Sequence, residues 1–172
     1  FGEVALDGGD VVIERGGVFF GTAGGRLLGL DLATGTVGWE AAIATPKGAT
    51  ELERIADVTS LPTIDERYAC ATAYQGRTGC FDVVRGTPVW TRDIGSLGGI
   101  AIDGKNLYVT DDAGAVHALD RSTGASVWKQ DALKDRRIGG PQVTGDHLAV
   151  VDVEGYVHLL DRSDGRLAGR LA

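Results

Sequence analysis

Four stretches of the chain align with one another without gaps, and this repetition limits the possible folds more than any other feature. They cover residues 25–39, 76–90, 114–128 and 155–169. Two columns of glycine and one of aspartate are invariant, and a fourth column holds tryptophan three times and then Gly169. The repeated residues are Gly25, Gly76, Gly114 and Gly155; Asp31, Asp82, Asp120 and Asp161; Gly35, Gly86, Gly124 and Gly165; and Trp39, Trp90 and Trp128. The aspartates are spaced by 51, 38 and 41 residues, a period typical of repeat architectures.

Each repeat contains about four short β-rich runs separated by turn residues, with no helical periodicity longer than a turn. The first run of each unit is predicted at residues 11–13, 62–64, 100–102 and 142–143. A single four-stranded sheet cannot bury both of its faces, so each unit needs neighbours to pack against. Four-stranded units that repeat about every 40 residues predict the blades of a β-propeller.

The repeated residues suit this architecture. The first glycine is predicted to lie in a tight hairpin with positive φ. The D-x-x-x-G stretch predicts a second turn, in which Asp binds backbone amides and Gly adopts the left-handed conformation. The Trp is predicted to pack against a neighbouring unit. These positions explain part of the glycine content, which is 27 of 172 residues.

The third repeat shows a more specific resemblance. Residues 118–124 read ALDRSTG and are followed by Trp128, a pattern similar to the blades named after pyrroloquinoline quinone (PQQ) enzymes. WD-type blades fit less well, because no Gly-His or Trp-Asp signature occurs. We therefore predict an all-β propeller of PQQ-like four-stranded blades, at about residues 9–43, 60–94, 98–131 and 139–172. Repeat identity predicts the fold, and function has to be argued from sites.

Composition excludes several classes of function. The net charge is −7 without a long basic run, which disfavours nucleic acid as the main partner. No run of 18 apolar residues is present, so no membrane-spanning segment is predicted. The chain lacks methionine and begins at Phe1, and we interpret it as part of a longer polypeptide with about four blades of a probable eight.

The repeats are interrupted by an insertion between the first two blades, at residues 44–59. Repeat proteins often place binding features at such connections. Thr50 and Glu53 form a capping box, which predicts a short helical turn starting at Glu51. From the residues alone, the alternative remains open that the loop only plugs the propeller.

The insertion and other segments together resemble the BamB family, lipoproteins of the outer-membrane β-barrel assembly machinery. The resemblance rests on residues 50–58, Pro62, 73–77, 128–133, 154–158 and 164–166. It implies a non-enzymatic, eight-bladed periplasmic propeller without a cofactor, tethered to the outer membrane by a lipidated cysteine that this chain lacks. It also implies binding to a POTRA domain of BamA and assistance to unfolded outer-membrane proteins.

The resemblance implies that the insertion contacts BamA. We therefore predict as partner-binding residues Leu52, Glu53, Arg54, Ile55, Asp57 and Thr59. Thr59 replaces the second aspartate of the family's D-V-D run, and only the first carries over, as Asp57. A second family contact, L-x-L-R-G, has a weak counterpart at residues 4–8, where Leu6 is retained and Asp7 replaces Arg.

Two other functions remain as alternatives. Blade edges could pair with extended, unfolded clients by β-augmentation. A fragment of a PQQ-dependent dehydrogenase is less consistent with the sequence. Such an enzyme would need a bound quinone, Ca²⁺, a catalytic Asp and usually adjacent cysteines, whereas Cys70 and Cys80 are ten residues apart and no local cluster supplies Ca²⁺ ligands.

The histidines and cysteines are interpreted as structural. His117 and His158 occupy the same repeat column, which favours packed strand residues over a metal pair, and no metal site is predicted. Cys70 and Cys80 flank a predicted hairpin. A two-residue loop would place Cys80 opposite Ala71, so a disulfide would need a longer loop or a bulge.

Overall fold

The computed structural model describes residues 11–44, 57–58 and 60–172. They form four antiparallel four-stranded sheets, each with its strands in sequence order. The first sheet consists of β1 (Val12–Glu14), β2 (Gly17–Thr22), β3 (Arg26–Asp31) and β4 (Val37–Ala42). The second consists of β5 (Thr63–Ile64), β6 (Tyr68–Thr72), β7 (Thr78–Asp82) and β8 (Pro88–Arg92). The third consists of β9 (Ile100–Ile102), β10 (Asn106–Thr110), β11 (Val116–Asp120) and β12 (Ser126–Gln130). The fourth consists of β13 (Gln142–Thr144), β14 (His147–Val151), β15 (Val157–Asp161) and β16 (Leu167–Leu171).

The sheets are consecutive blades of a β-propeller. The first strands of neighbouring sheets contact one another, β1 with β5, β5 with β9 and β9 with β13, so the sheets fan out around a common axis. The pairing of third and fourth strands contains an irregularity at the same repeat position in every blade, as at Gly29/Leu30 and Cys80/Phe81. In the described part of the chain, the only helix is a 3-10 turn at Lys134–Arg136, and no helix there is long and apolar enough to cross a membrane.

The cores lie between the blades. One cluster joins Leu27 and Ile43 of the first blade to Ala69 and Phe81 of the second. Another joins Tyr68 and the cysteines of the second blade to Leu107, Val109 and Leu119 of the third. The remaining cluster joins Tyr108 and Val116 to Leu148, Val150 and Leu160. Each sheet therefore buries its apolar side chains against the next sheet, as expected of layered β architectures.

The antiparallel topology defines two faces. The hairpins between second and third strands and the connections between blades lie at one end of the sheets, which we call the connection face. The turns between first and second strands and between third and fourth strands lie at the other end, which we call the turn face.

The predicted D-x-x-x-G turns are present on the turn face. Asp82 Oδ1 accepts hydrogen bonds from the backbone N–H groups of Val84 and Arg85, and the Gly86 N–H donates to the Asp82 carbonyl oxygen at 2.8 Å. The other three aspartates make equivalent contacts. All four turn glycines have φ between 68° and 75°. These hydrogen bonds favour the carboxylate and contribute to the lowered pKa values of the turn aspartates.

Each tryptophan packs on the turn of the following blade. The Nε1 atoms of Trp39, Trp90 and Trp128 donate to the carbonyl oxygens of Val83, Arg121 and Arg162 at 2.7–2.9 Å. The rings cover Gly86, Gly124 and Gly165, where a Cβ would approach ring carbon atoms to 2.5–2.6 Å. The turn glycine is therefore required both by its φ angle and by the neighbouring ring.

One prediction for the first glycine column was wrong. Gly25, Gly114 and Gly155 have positive φ, but in the second blade Gln75, with φ of 49°, takes the left-handed position in place of Gly76. Gly76 is constrained by close packing instead, because a Cβ there would lie 2.6 Å from the Cβ of Ala44.

The hairpin between the cysteines has the longer loop that a disulfide requires. Tyr74, Gln75 and Gly76 form a three-residue loop, closed by a hydrogen bond from the Ala73 N–H to the Arg77 carbonyl oxygen. The extra residue shifts the register so that Cys70 faces Cys80 directly, and the two form a disulfide. Both residues are almost completely buried against the third blade.

Candidate functional site

The insertion returns to the propeller at Asp57, which contacts the hairpins of two blades. Asp57 Oδ1 accepts a hydrogen bond from the Gly24 N–H of the first blade at 3.0 Å. Its carbonyl oxygen accepts one from the Tyr74 N–H of the second blade at 2.9 Å. Both hairpins lie on the connection face, so the end of the insertion is fixed to this face.

Val58 anchors the same segment through packing. Its side chain lies over Gly21 of β2, where a Cβ would come within 2.2 Å of Val58 Cγ1. It also packs against the core cluster between the first two blades. Substitution of Gly21 by any larger residue would displace Val58, and with it the neighbouring Asp57.

Of the predicted partner-binding residues, Asp57 lies in the described part of the chain. The others, Leu52, Glu53, Arg54, Ile55 and Thr59 together with the weaker Leu6 and Asp7, lie outside the described residues, as does the expected helical turn at Glu51.

The connection face continues from Asp57 toward the third blade. The Gln75 N–H donates to Asp112 Oδ2 at 3.4 Å, and the Asp112 N–H donates to the Gly95 carbonyl oxygen at 3.1 Å. Burial raises the pKa of Asp112, helped by the nearby charge of Asp111 and opposed by the Gln75 hydrogen bond. The hairpins of the first three blades are thus joined side by side through Asp57 and Asp112.

The two repeat-column histidines form buried pairs with aspartates of their own hairpins. His117 Nε2 lies 2.7 Å from Asp111 Oδ2, and His158 Nε2 lies 2.8 Å from Asp152 Oδ2. Asp152 also accepts hydrogen bonds from the backbone N–H groups of Glu154 and Tyr156 and from Arg136 Nη1. The hydrogen bond from His158 is the largest of the effects that lower the pKa of Asp152 to about 2. Both pairs therefore hold hairpins in place.

Within the ranges that the structure describes, no group of three or more His, Cys, Asp or Glu residues could hold a metal ion.

A polar cleft of about 660 Å³ lies on the turn face between the third and fourth blades. Asp103 Oδ2 accepts a hydrogen bond from the Tyr108 hydroxyl at 2.7 Å and lies 3.6 Å from Arg162 Nη1. Desolvation is the main cause that raises the Tyr108 pKa to about 12. This arrangement connects two blades, and it lies at the opposite end of the sheets from Asp57.

The sequence did not predict that Gly21, Gly24, Val58 and Tyr74 position Asp57, although Val58 and Tyr74 belong to the segments that carry the family resemblance. Their roles depend on contacts between different blades, which repeat alignment does not predict. The one local signal was Gly21, which lies outside the repeat columns. A glycine inside a strand indicates that another part of the chain approaches the strand closely, but not which part.

A family model and the curated relatives identify one family. The family model described as outer membrane protein assembly factor BamB matches residues 4–130. The protein of that name from Bordetella pertussis is 47% identical over 127 residues, which cover 73% of this chain and 33% of that protein. The protein of that name from Xanthomonas campestris is 42% identical over 128 residues, which cover 74% of this chain and 32% of that protein. The matched region thus spans about a third of the length of these curated relatives.

Solved structures give the same result for the fold. The crystal structure of BamB from Moraxella catarrhalis superposes with a TM-score of 0.86 at 27% identity, covering 94% of this chain and 48% of that chain. A europium-containing methanol dehydrogenase superposes with a TM-score of 0.72 at 17% identity, covering 94% of this chain and 40% of that chain. This likeness shows the shared fold alone.

Proposed function

The chain belongs to the BamB family of outer membrane protein assembly factors, and from this membership we propose that it acts as a non-enzymatic scaffold that binds BamA. In this role it assists the folding and insertion of outer-membrane β-barrel proteins. The proposed partner surface is the insertion, with Asp57 at its end. The proposed site of action is the periplasmic face of the outer membrane, where a lipid anchor outside this chain would hold the parent protein.

The observation that carries this proposal is the attachment of Asp57 to the connection face. Because Gly24 and Tyr74 hold this residue from two blades, Asp57 has a fixed position on the connection face. In the proposed complex, Arg54 and Asp57 supply charged hydrogen bonds that set orientation, and Leu52 and Ile55 supply apolar contact. Glu53 lies between Leu52 and Arg54 in the sequence, Thr59 follows Asp57 by two residues, and both complete the proposed surface.

The experiment is a titration of the chain against soluble POTRA domains of BamA, followed by calorimetry. Arg54→Glu reverses a charge in the insertion. Asp57→Asn removes the charge but keeps an oxygen that can accept the Gly24 hydrogen bond, so a loss of binding would not simply report detachment of the insertion. We expect each variant to weaken binding about tenfold, a typical loss for a charged residue at the centre of an interface.

Matched controls come from the turn face. Arg85→Glu and Asp146→Asn make the same changes in exposed residues at the opposite end of the sheets. We expect these variants to bind within about twofold of the wild type, as is usual for residues outside an interface. Affinities of Arg54→Glu and Asp57→Asn that match those of the controls would show that the insertion is not the contact surface.

A second candidate function is β-augmentation, and one observation favours it. The outer strands β4, β8, β12 and β16 each pair with a strand on one side only within their sheets. Such edges can accept an extended client such as an unfolded outer-membrane protein. Unrelated extended peptides would then compete with the partner, whereas binding through the insertion would be insensitive to them.

A further inference from the structure

A second cleft, of about 380 Å³, opens on the connection face beside the third-blade hairpin. Thr110 and residues 111–114 of the hairpin form its floor. One wall is Leu97 and Gly98, from the connection that enters the third blade. The other is Lys134, Arg137 and Ile138, from the connection that leaves it.

Close backbone contacts build this cleft. A Cβ on Gly98 would lie 2.4 Å from the Gly140 nitrogen, so the two connections touch where neither has a side chain. A Cβ on Gly114 would lie 2.7 Å from the Lys134 carbonyl oxygen, and the Thr110 hydroxyl donates to the Gly139 carbonyl oxygen at 3.0 Å. Both walls and the floor are therefore fixed to one another, and the cleft is preformed.

The lining of the cleft combines an apolar pair with two cations. Leu97 is 62% exposed although it is a large apolar residue, and it lines the cleft together with the buried Ile138. Lys134 and Arg137 are exposed, and neither forms an ion pair with any residue in the described ranges. The acidic residues of the lining are already engaged, Asp111 by His117 and Asp112 by the Gln75 N–H.

Arg137 adopts a backbone conformation that is unfavourable for its residue type. Its φ and ψ are 49° and 57°, in the left-handed region, at the end of the 3-10 turn. In this conformation the Cβ of a non-glycine residue comes too close to the following carbonyl oxygen. Strained residues of this kind are concentrated at functional sites.

The cleft is continuous with the end of the insertion. Asp57 binds the Tyr74 N–H, the next residue Gln75 binds Asp112, and Asp112 lines the cleft. We propose that the cleft is a second contact point for the BamA domain that the insertion binds, and that it receives an apolar side chain followed by a carboxylate. The apolar group packs between Leu97 and Ile138, and the carboxylate binds Lys134 and Arg137. This proposal rests on the proposed function.

The test uses the same titration with POTRA domains. Leu97→Asp places a negative charge on the apolar wall and is compared with Val84→Asp, a substitution at a residue of the turn face that is 80% exposed. We expect Leu97→Asp to weaken binding about tenfold and Val84→Asp to leave it within about twofold. Because both wild-type side chains are largely exposed, both variants should fold, and far-UV circular dichroism checks this.

A second pair of variants tests the chemistry of the ligand. Lys134→Gln combined with Arg137→Asn removes both charges, and asparagine tolerates the left-handed conformation. Lys105→Gln removes an exposed charge from the turn face and serves as the control. We expect the double variant to weaken binding about tenfold and to reduce the loss of affinity as salt is raised, since screening acts on exposed charges.

The outcomes separate this inference from the proposed function. If the wild type does not bind POTRA domains, both fail. If the insertion variants lose affinity but Leu97→Asp and the double variant match their controls, the insertion is the contact and the cleft is not. If Leu97→Asp weakens binding while the double variant and its salt dependence are unchanged, the acidic character proposed for the ligand is wrong.

Discussion

The indole of Trp128 occupies the space that a side chain at Gly165 of the next blade would need. A Cβ on Gly165 would lie 2.5 Å from Trp128 Cε3, and the indole N–H binds the carbonyl oxygen of Arg162 in the same turn. The same relationship holds for Trp90 with Gly124 and for Trp39 with Gly86. The tryptophan column and the second glycine column are therefore two halves of one contact between blades.

Gly35 and Gly124 allow this contact to be measured separately from the turn. Both have φ near 70°, but Gly124 lies under Trp90, whereas Gly35 has no described atom within 4 Å of an added Cβ. We expect Gly35→Ala to lower the free energy of unfolding by about 1 kcal/mol through backbone strain alone. Gly124→Ala should lower it by about 2–4 kcal/mol, because the ring must also move. Urea denaturation of both variants measures the difference, and equal losses would contradict a packing role for Trp90.

The disulfide is expected to stabilise the second blade. Cys70 and Cys80 are ten residues apart, and the double substitution to alanine should lower the free energy of unfolding by about 2–3 kcal/mol. Reductant should lower the stability of the wild type in urea and leave the double variant unchanged. A wild type whose unfolding curve does not respond to reductant would contradict this expectation.

The lowered pKa of Asp152 predicts that the protein loses stability in acid. Its folded-state pKa of about 2 lies below the ordinary value of 3.8, so its contribution is fully present above pH 3.8 and is lost as the pH falls toward 2. Asp152→Asn should therefore have a flatter dependence of unfolding free energy on pH than the wild type across this window. Asp164→Asn, in an exposed turn, controls for the loss of one negative charge. Parallel curves for Asp152→Asn and the wild type would contradict the assignment.

The raised pKa of Asp112 predicts the opposite dependence of stability on pH. Burial raises its pKa, so ionisation costs stability as the pH rises above the ordinary value of 3.8. Asp112→Asn keeps an acceptor for the Gln75 N–H and avoids this cost. We expect it to be more stable than the wild type at neutral pH, with the advantage disappearing as the pH falls below 3.8. Thermal unfolding at neutral and acidic pH measures the change, and a variant that is less stable at neutral pH would contradict it.

The sequence was sufficient to predict the blades, because local spacing carries the information. The strand predicted at residues 100–102 coincides with β9, and the D-x-x-x-G turns have the expected hydrogen bonds. Both features depend on residues that are close together in the chain. The second-blade hairpin was harder to predict, because Gln75 rather than Gly76 took the left-handed position and the loop gained a residue.

The candidate site was less predictable, because contacts between blades form it. The family resemblance implied a role for Asp57, but not that Gly24 and Tyr74 fix it on two blades. Likewise, Leu97 and Arg137 are 40 residues apart and belong to no repeat column. The contact of Gly98 with Gly140 brings them to one cleft, and a sequence pattern does not encode which glycines meet.

The contact between tryptophan and glycine is directional, since each of the first three blades packs its ring on a turn glycine of the blade that follows. Such head-to-tail contacts place no limit on the number of blades. The blades form a closed ring only if the rotation from one blade to the next is a whole-number fraction of a full turn. The number of blades is therefore set by the angle between neighbouring sheets rather than by the contact itself. Duplication of a segment encoding one blade could lengthen the series without inventing a new interface.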